Sequence, residues 1–168
     1  MAEVNMPEVN ADDFRGALGS WAAGVTVVTT RHGDEVYGIT VSSFSSLSVD
    51  PLLILVCLAD SNRLPQMIKD SKHFAVSIMA EGQDAISTWF SKSGREPVKQ
   101  FDEFGTIEWH TGSPIMDGAV AHLDCELFQA IQGGDHTIVI GKVLGAAYNP
   151  ERKPLIYYRR GYRSLNMD

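Results

Sequence analysis

Residues 37–59 read YGITVSSFSSLSVDPLLILVCLA, and two unlike halves meet in them. From Thr40 to Ser48 the chain carries six hydroxyl side chains in nine residues: Thr40, Ser42, Ser43, Ser45, Ser46 and Ser48. From Leu52 to Ala59 it is an unbroken apolar run, opened by Pro51 and rich in branched side chains. Such a run predicts a strand buried on both faces. The hydroxyl half is too polar to share that core. Its short donors and acceptors compete with ladder hydrogen bonds, which favours turns and edges. A rigid strand therefore holds a hydroxyl-rich, backbone-exposing segment beside it. That suits a planar, polar-edged ligand or a phosphate. A serine-rich edge and turn with no ligand fits the same pattern.

The chain has 168 residues, enough for one domain that buries about two-thirds of its unfolded surface. Lys and Arg number 14 against 21 Asp and Glu, a formal net charge of −7. That balance argues against nucleic acid and anionic membranes as main partners. Cys57 and Cys125 both sit in apolar patterns and form no CxxC pair, so two reduced core thiols are expected. The first ten residues, MAEVNMPEVN, have neither a basic n-region nor an apolar h-region. No apolar run approaches the ~18 residues of a membrane span. A cytoplasmic protein without membrane attachment is the expectation.

Taken in order, residues 1–10 read as a flexible arm and residues 11–168 as a single domain. Asp12 or Asn10 can cap a helix whose apolar stripe is Phe14, Ala17, Leu18, Trp21 and Ala22, ended by Gly24. Val25–Thr30 and Val36–Val41 form a hairpin about Gly33-Asp34. After the central run, Asp60-Ser61-Asn62 caps a short helix with Leu64, Met67 and Ile68 inward. Phe74–Met79 reads as a strand and Gln83–Phe90 as a short helix. Ser91–Gly105 is polar and aperiodic, the signature of a lid or a disordered segment. Its Lys92, Arg95 and Lys99 could meet ligand phosphates or simply lie in solvent. Ala119–Ile131 alternates, with Ala121, Leu123, Cys125 and Leu127 on one face. His122, Asp124 and Glu126 fall on the other, in solvent or at a subunit contact. Gly133-Gly134-Asp135 makes a turn, His136–Tyr148 is strand, and Leu155–Tyr158 is the last strand before a basic tail. Six or seven strands with few, short helices predict a mostly β fold, a closed or nearly closed antiparallel barrel.

The phosphate-binding, zinc-protease and nucleophile-elbow signatures GxGxxG, GxxxxGK[ST], HExxH and GxSxG are absent. His32, His73, His110, His122 and His136 show no metal-ligand spacing, so no metal site is expected. One histidine stands out. In GGDHTIVIGKV, residues 133–143, two glycines permit a tight turn, and an Asp-His pair then enters a strand. The imidazole of His136 could donate to a ligand, with its tautomer set by a neighbouring acceptor, or could merely start the strand.

Four segments together, FRGALGSWAAGVTVVTT, YGITVSSFSSLSVDPLLILVCL, GDHTIVIGKV and LIYYRRGY, resemble the flavin reductase family in order and spacing. These are the short reductase components of two-component flavin-dependent monooxygenases. The resemblance covers nearly the whole chain. It implies an FMN-binding split β-barrel with Greek-key antiparallel strands, working as a homodimer. It implies hydride transfer from NADH or NADPH to FMN or FAD, with reduced flavin released to a partner oxygenase. By position it implies that Thr40, Val41, Ser42 and Ser43 line the isoalloxazine edge, with Ser48 nearby. Ser61, Asn62 and Arg63 would approach the flavin phosphate, and Phe90 and Ser91 the flavin tail. His136 would be the catalytic residue over the ring where nicotinamide stacks. Tyr162, with Tyr157, would close the site. The chain departs from the family pattern at Val41 and in its bulky, basic Tyr157-Tyr158-Arg159-Arg160, which leaves the choice of flavin open. A flavin-binding carrier or sensor without reductase activity is the other reading.

Overall fold

A computed structural model of the chain describes residues 8–94, 101 and 103–166. Residues 1–7 of the expected arm lie outside the described residues, as do Arg95 and Lys99 of the polar loop. The chain opens with helix α1 (Ala11–Leu18), capped by the Asn10 side chain, which accepts from the Asp12 and Asp13 amides. Strands β1 (Ala23–Gly24), β2 (Thr26–His32), β3 (Glu35–Val41), β4 (Phe44–Val49) and β5 (Leu52–Ala59) follow. Next come α2 (Leu64–Ser71), β6 (His73–Ile78) and α3 (Asp84–Ser91). Strands β7 (Thr106–Glu108), β8 (Pro114–Met116), β9 (Ala121–Gly133), β10 (His136–Tyr148), β11 (Ile156–Tyr158) and β12 (Gly161–Arg163) complete it.

Seven strands form one antiparallel sheet in the order β3-β2-β6-β9-β10-β5-β4. Its two outermost strands, β3 and β4, are consecutive in the chain and separated only by Ser42 and Ser43. Such a link reaches at most about 11 Å from Val41 to Phe44. The sheet must therefore curl until its edges meet, leaving a seam at the two serines. That is the expected nearly closed barrel. Helix α2 plugs the interior with Leu64, Met67 and Ile68 against Val56, Leu58, Phe74 and Val139. Gly141 is required there, because a Cβ at that position would stand 2.4 Å from the Phe74 ring. A second apolar cluster, including Val25, Val27, Met79, Phe90 and Leu155, lies outside the barrel wall beneath α3.

Several sequence expectations are corrected. The strands buried on both faces are β2, whose Thr26–Thr30 are all at most 2% exposed, and β6, whose Phe74–Ser77 are fully buried. β5 buries Ile54, Val56 and Leu58 in the interior, but Leu55, Cys57 and Ala59 are only half-buried and Leu52 is exposed. The reason is cover: β5 lies next to the edge strand β4, and of its outer-face residues only Leu53 is buried among the described residues. Helix α1 ends at Leu18 with Gly19 as C-cap, so Trp21 and Ala22 are not helical and Gly24 belongs to β1. Its apolar stripe buries nothing, and Phe14, Leu18 and Trp21 remain exposed.

Within the polar loop, Phe101 is buried against Phe90, and Phe104 packs on Trp89 and Phe90. Both aromatic contacts fall at the end of a stretch that reads as unstructured in the sequence. Asp124, expected on an open face, is fully buried and accepts from the Thr111 amide and hydroxyl. The β7–β8 hairpin, unforeseen in the sequence, provides that cover. The basic tail is also a hairpin: Tyr158 pairs with Gly161, leaving Arg159-Arg160 as a two-residue turn. Both arginines are left-handed, at φ 47° and 59°. A turn with two positive φ values normally takes Asn-Gly, and each bulkier residue costs about 1–2 kcal/mol there.

Candidate active site

Two adjoining cavities open at the barrel seam. The smaller, about 190 Å³, is a slot lined by Val25, Thr40, Ser42, Ser91, Tyr157 and Tyr162. The larger, about 670 Å³, is a vestibule that shares Ser42 and Tyr157 with the slot and adds Ser43 and Ser45. The seam supplies the serines because β3 and β4 must diverge there. The small sheet β1-β11-β12 supplies the tyrosines. Val25 fastens the two together, since its amide donates to the Leu155 carbonyl at 3.0 Å.

The hydroxyls of this region are not equivalent. Thr40 Oγ1 donates to the Ser87 carbonyl at 2.6 Å, and Ser91 Oγ to the Thr88 carbonyl at 2.7 Å. Ser43 Oγ donates to the Cys57 carbonyl at 2.7 Å and so fastens the seam to β5. The Tyr162 hydroxyl lies 3.3 Å from Thr88 Oγ1, and its ring meets Tyr157 edge-on at 5.5 Å. The Ser42 hydroxyl has no partner among the described residues, and it borders both cavities. It is the donor and acceptor that this arrangement leaves for a ligand.

Other expected site residues are placed elsewhere. The Val41 side chain is buried in the barrel interior, so only its backbone is left to face a ligand. Phe90 is fully buried and supports the slot from behind. Ser48 pairs with Leu53 on β4, about 15 Å along the sheet from Ser43. Ser61 is exposed in the turn after β5. Asn62 Oδ1 accepts from the Leu64 amide at 2.9 Å and starts α2. Arg63 pairs with Glu35 and stacks over the Tyr37 ring, 5.0 Å from its centre.

His136 opens β10 opposite Ala59. Its Nδ1 lies 2.7 Å from Asp135 Oδ1, and this contact holds the Asp135 carboxyl below its ordinary range. The carboxylate thereby favours the Nδ1–H tautomer. His136 lies two strand spacings and two residues from Ser43, about 12 Å, and lines neither cavity. Neither cysteine lines a seam cavity. Burial pushes the Cys125 thiol up to about 12, which leaves it protonated and inert at neutral pH.

The sequence reading missed Arg15, Trp21, Arg159 and Arg160, which also border the vestibule. No turn signal marks Arg159-Arg160, because the geometry favours Asn and Gly. Trp21 and Arg15 reach the seam only because α1 stops short.

Residues 18–166 match the family model of the flavin reductase like domain. The chain belongs to the flavin reductase family. It is 34% identical over 164 residues to an NADH-dependent flavin reductase of Rhodococcus sp, covering 96% of this chain and 90% of that protein. It is 36% identical over 163 residues to HsaB, the reductase subunit of a flavin-dependent monooxygenase of Mycobacterium tuberculosis, covering 94% and 84%. Its fold superimposes on the NADH:FAD oxidoreductase SgcE6 of Streptomyces globisporus, solved with NAD and FAD fragments, with a TM-score of 0.89. There the identity is 34%, and the match covers 97% of this chain and 99% of that one. Family membership thus agrees with the mostly β, antiparallel architecture that the strand pattern predicts.

Proposed function

We propose that the seam is the flavin site of an NAD(P)H-dependent flavin reductase, which passes reduced flavin to a partner monooxygenase. One observation carries this reading: a slot walled by hydroxyls and tyrosines, where Ser42 alone among the serines and threonines lining the two cavities lacks a protein partner. The lining fits a flat ring with polar edges, since Tyr157 and Tyr162 offer aromatic surface and Ser42 a hydrogen bond. A flavin held there would supply the redox chemistry, with a reduced nicotinamide as the hydride donor.

The chain's own contribution is positional and electrostatic. Backbone N–H groups of the Val41–Ser43 link and the Ser42 hydroxyl stand ready to stabilise negative charge on a ring edge, as an oxyanion hole does. The tyrosines exclude water from the slot. No protein nucleophile is needed, in keeping with the inert Cys125 thiol.

The working unit is a homodimer. Strands β4, β5, β9 and β10 expose Leu47, Val49, Leu52, Phe128, Ile131 and Leu144, apolar side chains that a second copy of the chain would cover. His136 shares the outer sheet face with Cys57 and Ala59, and it reaches a nicotinamide once two chains close the site. Residues 11–168 act as one domain, with residues 1–10 as an arm. The protein works in the cytoplasm. No helix of the described residues is long and apolar enough to cross a membrane.

The test is oxidation of NADH and NADPH by the purified protein with and without added FMN or FAD. Flavin-dependent oxidation is expected. Flavin binding without oxidation would make the protein a carrier, and neither activity would end the proposal.

A further inference from the structure

The slot accounts for a flavin ring, but the vestibule beside it is more than three times as large. Its character is unlike that of the whole chain. The chain carries a net charge of −7, yet Arg15, Arg159 and Arg160 border this one cavity and no carboxylate lines it. Arg15 pairs at the surface with Asp12, at 3.1 Å. Arg159 and Arg160 have no carboxylate partner among the described residues. Both also hold the left-handed backbone that glycine or asparagine adopts far more easily. Strain retained at a cavity rim points to side chains kept for their chemistry. The turn is moreover fixed in place, because the Arg159 amide donates to the Gly19 carbonyl at 3.1 Å. Trp21 borders the same space, and the Arg159 guanidinium lies over the Tyr158 ring, 5.3 Å from its centre, so that turn and aromatic face stand together at the rim.

Paired guanidinium forks beside aromatic faces suit phosphates joined to a purine. We propose that the vestibule binds the adenosine diphosphate half of a dinucleotide, with the Arg159-Arg160 turn gripping its two phosphates. This rests on the flavin reductase reading, which puts the ring in the slot. FAD and NADH both carry this half, and the experiment separates them.

The full-length protein is titrated with FAD and FMN by fluorescence quenching and with ADP by calorimetry, and the KM for NADH is measured. The key variant is Arg159→Gly with Arg160→Gly. Glycine relieves the turn, so Tm should hold or rise, and a binding defect is then not a folding defect. An Arg159→Lys, Arg160→Lys variant keeps the charge but not the fork, so it should lose affinity, though less than the glycine variant. Losing charge-assisted hydrogen bonds to phosphate weakens binding by about tenfold or more. If FAD affinity falls by that factor while FMN affinity changes less than about twofold, the occupant is the flavin dinucleotide. If FAD affinity holds and the NADH KM rises about tenfold, it is the nicotinamide dinucleotide. An unchanged FAD affinity together with an unchanged NADH KM overturns the inference, as does an equal loss for FMN and FAD. A parent that binds ADP through these arginines but no flavin would sink the flavin reductase reading and keep the subsite. A parent that binds neither flavin nor ADP sinks both.

Discussion

Strands β2 and β5 contradict their compositions. β2 reads TVVTTRH, with three hydroxyls in seven residues, yet it is buried on both faces from Thr26 to Thr30. β5 reads LLILVCLA, wholly apolar, and is open on its outer side. The threonines of β2 are tolerable because each has an acceptor: Thr26 donates to the Val41 carbonyl, Thr29 to that of Pro114 and Thr30 to that of His73. A buried hydroxyl with a partner costs little, whereas an unpaired one is expensive. β5 teaches the converse. An apolar composition does not by itself bring cover, and Leu55, Cys57 and Ala59 leave an outer surface only half-covered. On β5 that surface adjoins the seam, where Ser43 is fastened to Cys57.

The largest test sets the two faces of β5 against each other. Leu58 is 1% exposed inside the barrel, and Leu58→Ala should cost about 2–5 kcal/mol in urea unfolding. Leu55, half-buried on the outer face, should cost less than half as much as alanine when measured in the monomer. Leu55→Asp should instead shift sedimentation toward the 18.4 kDa chain mass. Equal unfolding costs with no change in association would break the contrast.

A smaller effect is expected at the seam itself. Ser42→Val with Ser43→Val removes two hydroxyls and adds bulk beside the slot, so flavin affinity should fall by more than about tenfold. The fold should persist, because the interior faces of β2 and β5 are untouched. Far-UV dichroism and flavin quenching on the same samples check both. A folded variant that binds FMN as tightly as the parent removes the seam from the site.

The smallest effect belongs to His136, on the same outer face as Cys57. His136→Ala should lower turnover several-fold while flavin affinity and Tm stay within error. A rate unchanged between about pH 6 and pH 8 would leave this histidine a strand-start residue held by Asp135.

Much of the architecture is legible in the sequence because it follows from local rules. Alternating and β-branched runs specify β2, β3, β6, β9 and β10. The Gly33-Asp34 and Gly134-Asp135 turns sit where positive φ requires a glycine, at 61° and 70°. Asn10 caps α1, and Asn62, one residue before the Arg63 N-cap of α2, accepts from the Leu64 amide, as short polar side chains do at helix starts. The hydroxyl stretch is also written locally, and it marks the seam.

Tertiary structure alone decided the rest, because burial depends on what lies above a strand rather than on its residues. The β7–β8 hairpin buries Asp124, and Phe101 and Phe104 of an otherwise polar stretch pack against Phe90. Among the candidate site residues, the fold brings Thr40, Ser42, Ser91, Tyr157 and Tyr162 to one slot, though they stand more than 120 positions apart at the extremes. It gives Asn62 and Arg63 local structural bonds and sets His136 on an outer face. It also turns an apparent basic tail into a strained turn at the rim of the vestibule. Sequence spacing carries the period of an element. Only closure of the sheet determines which elements face one another.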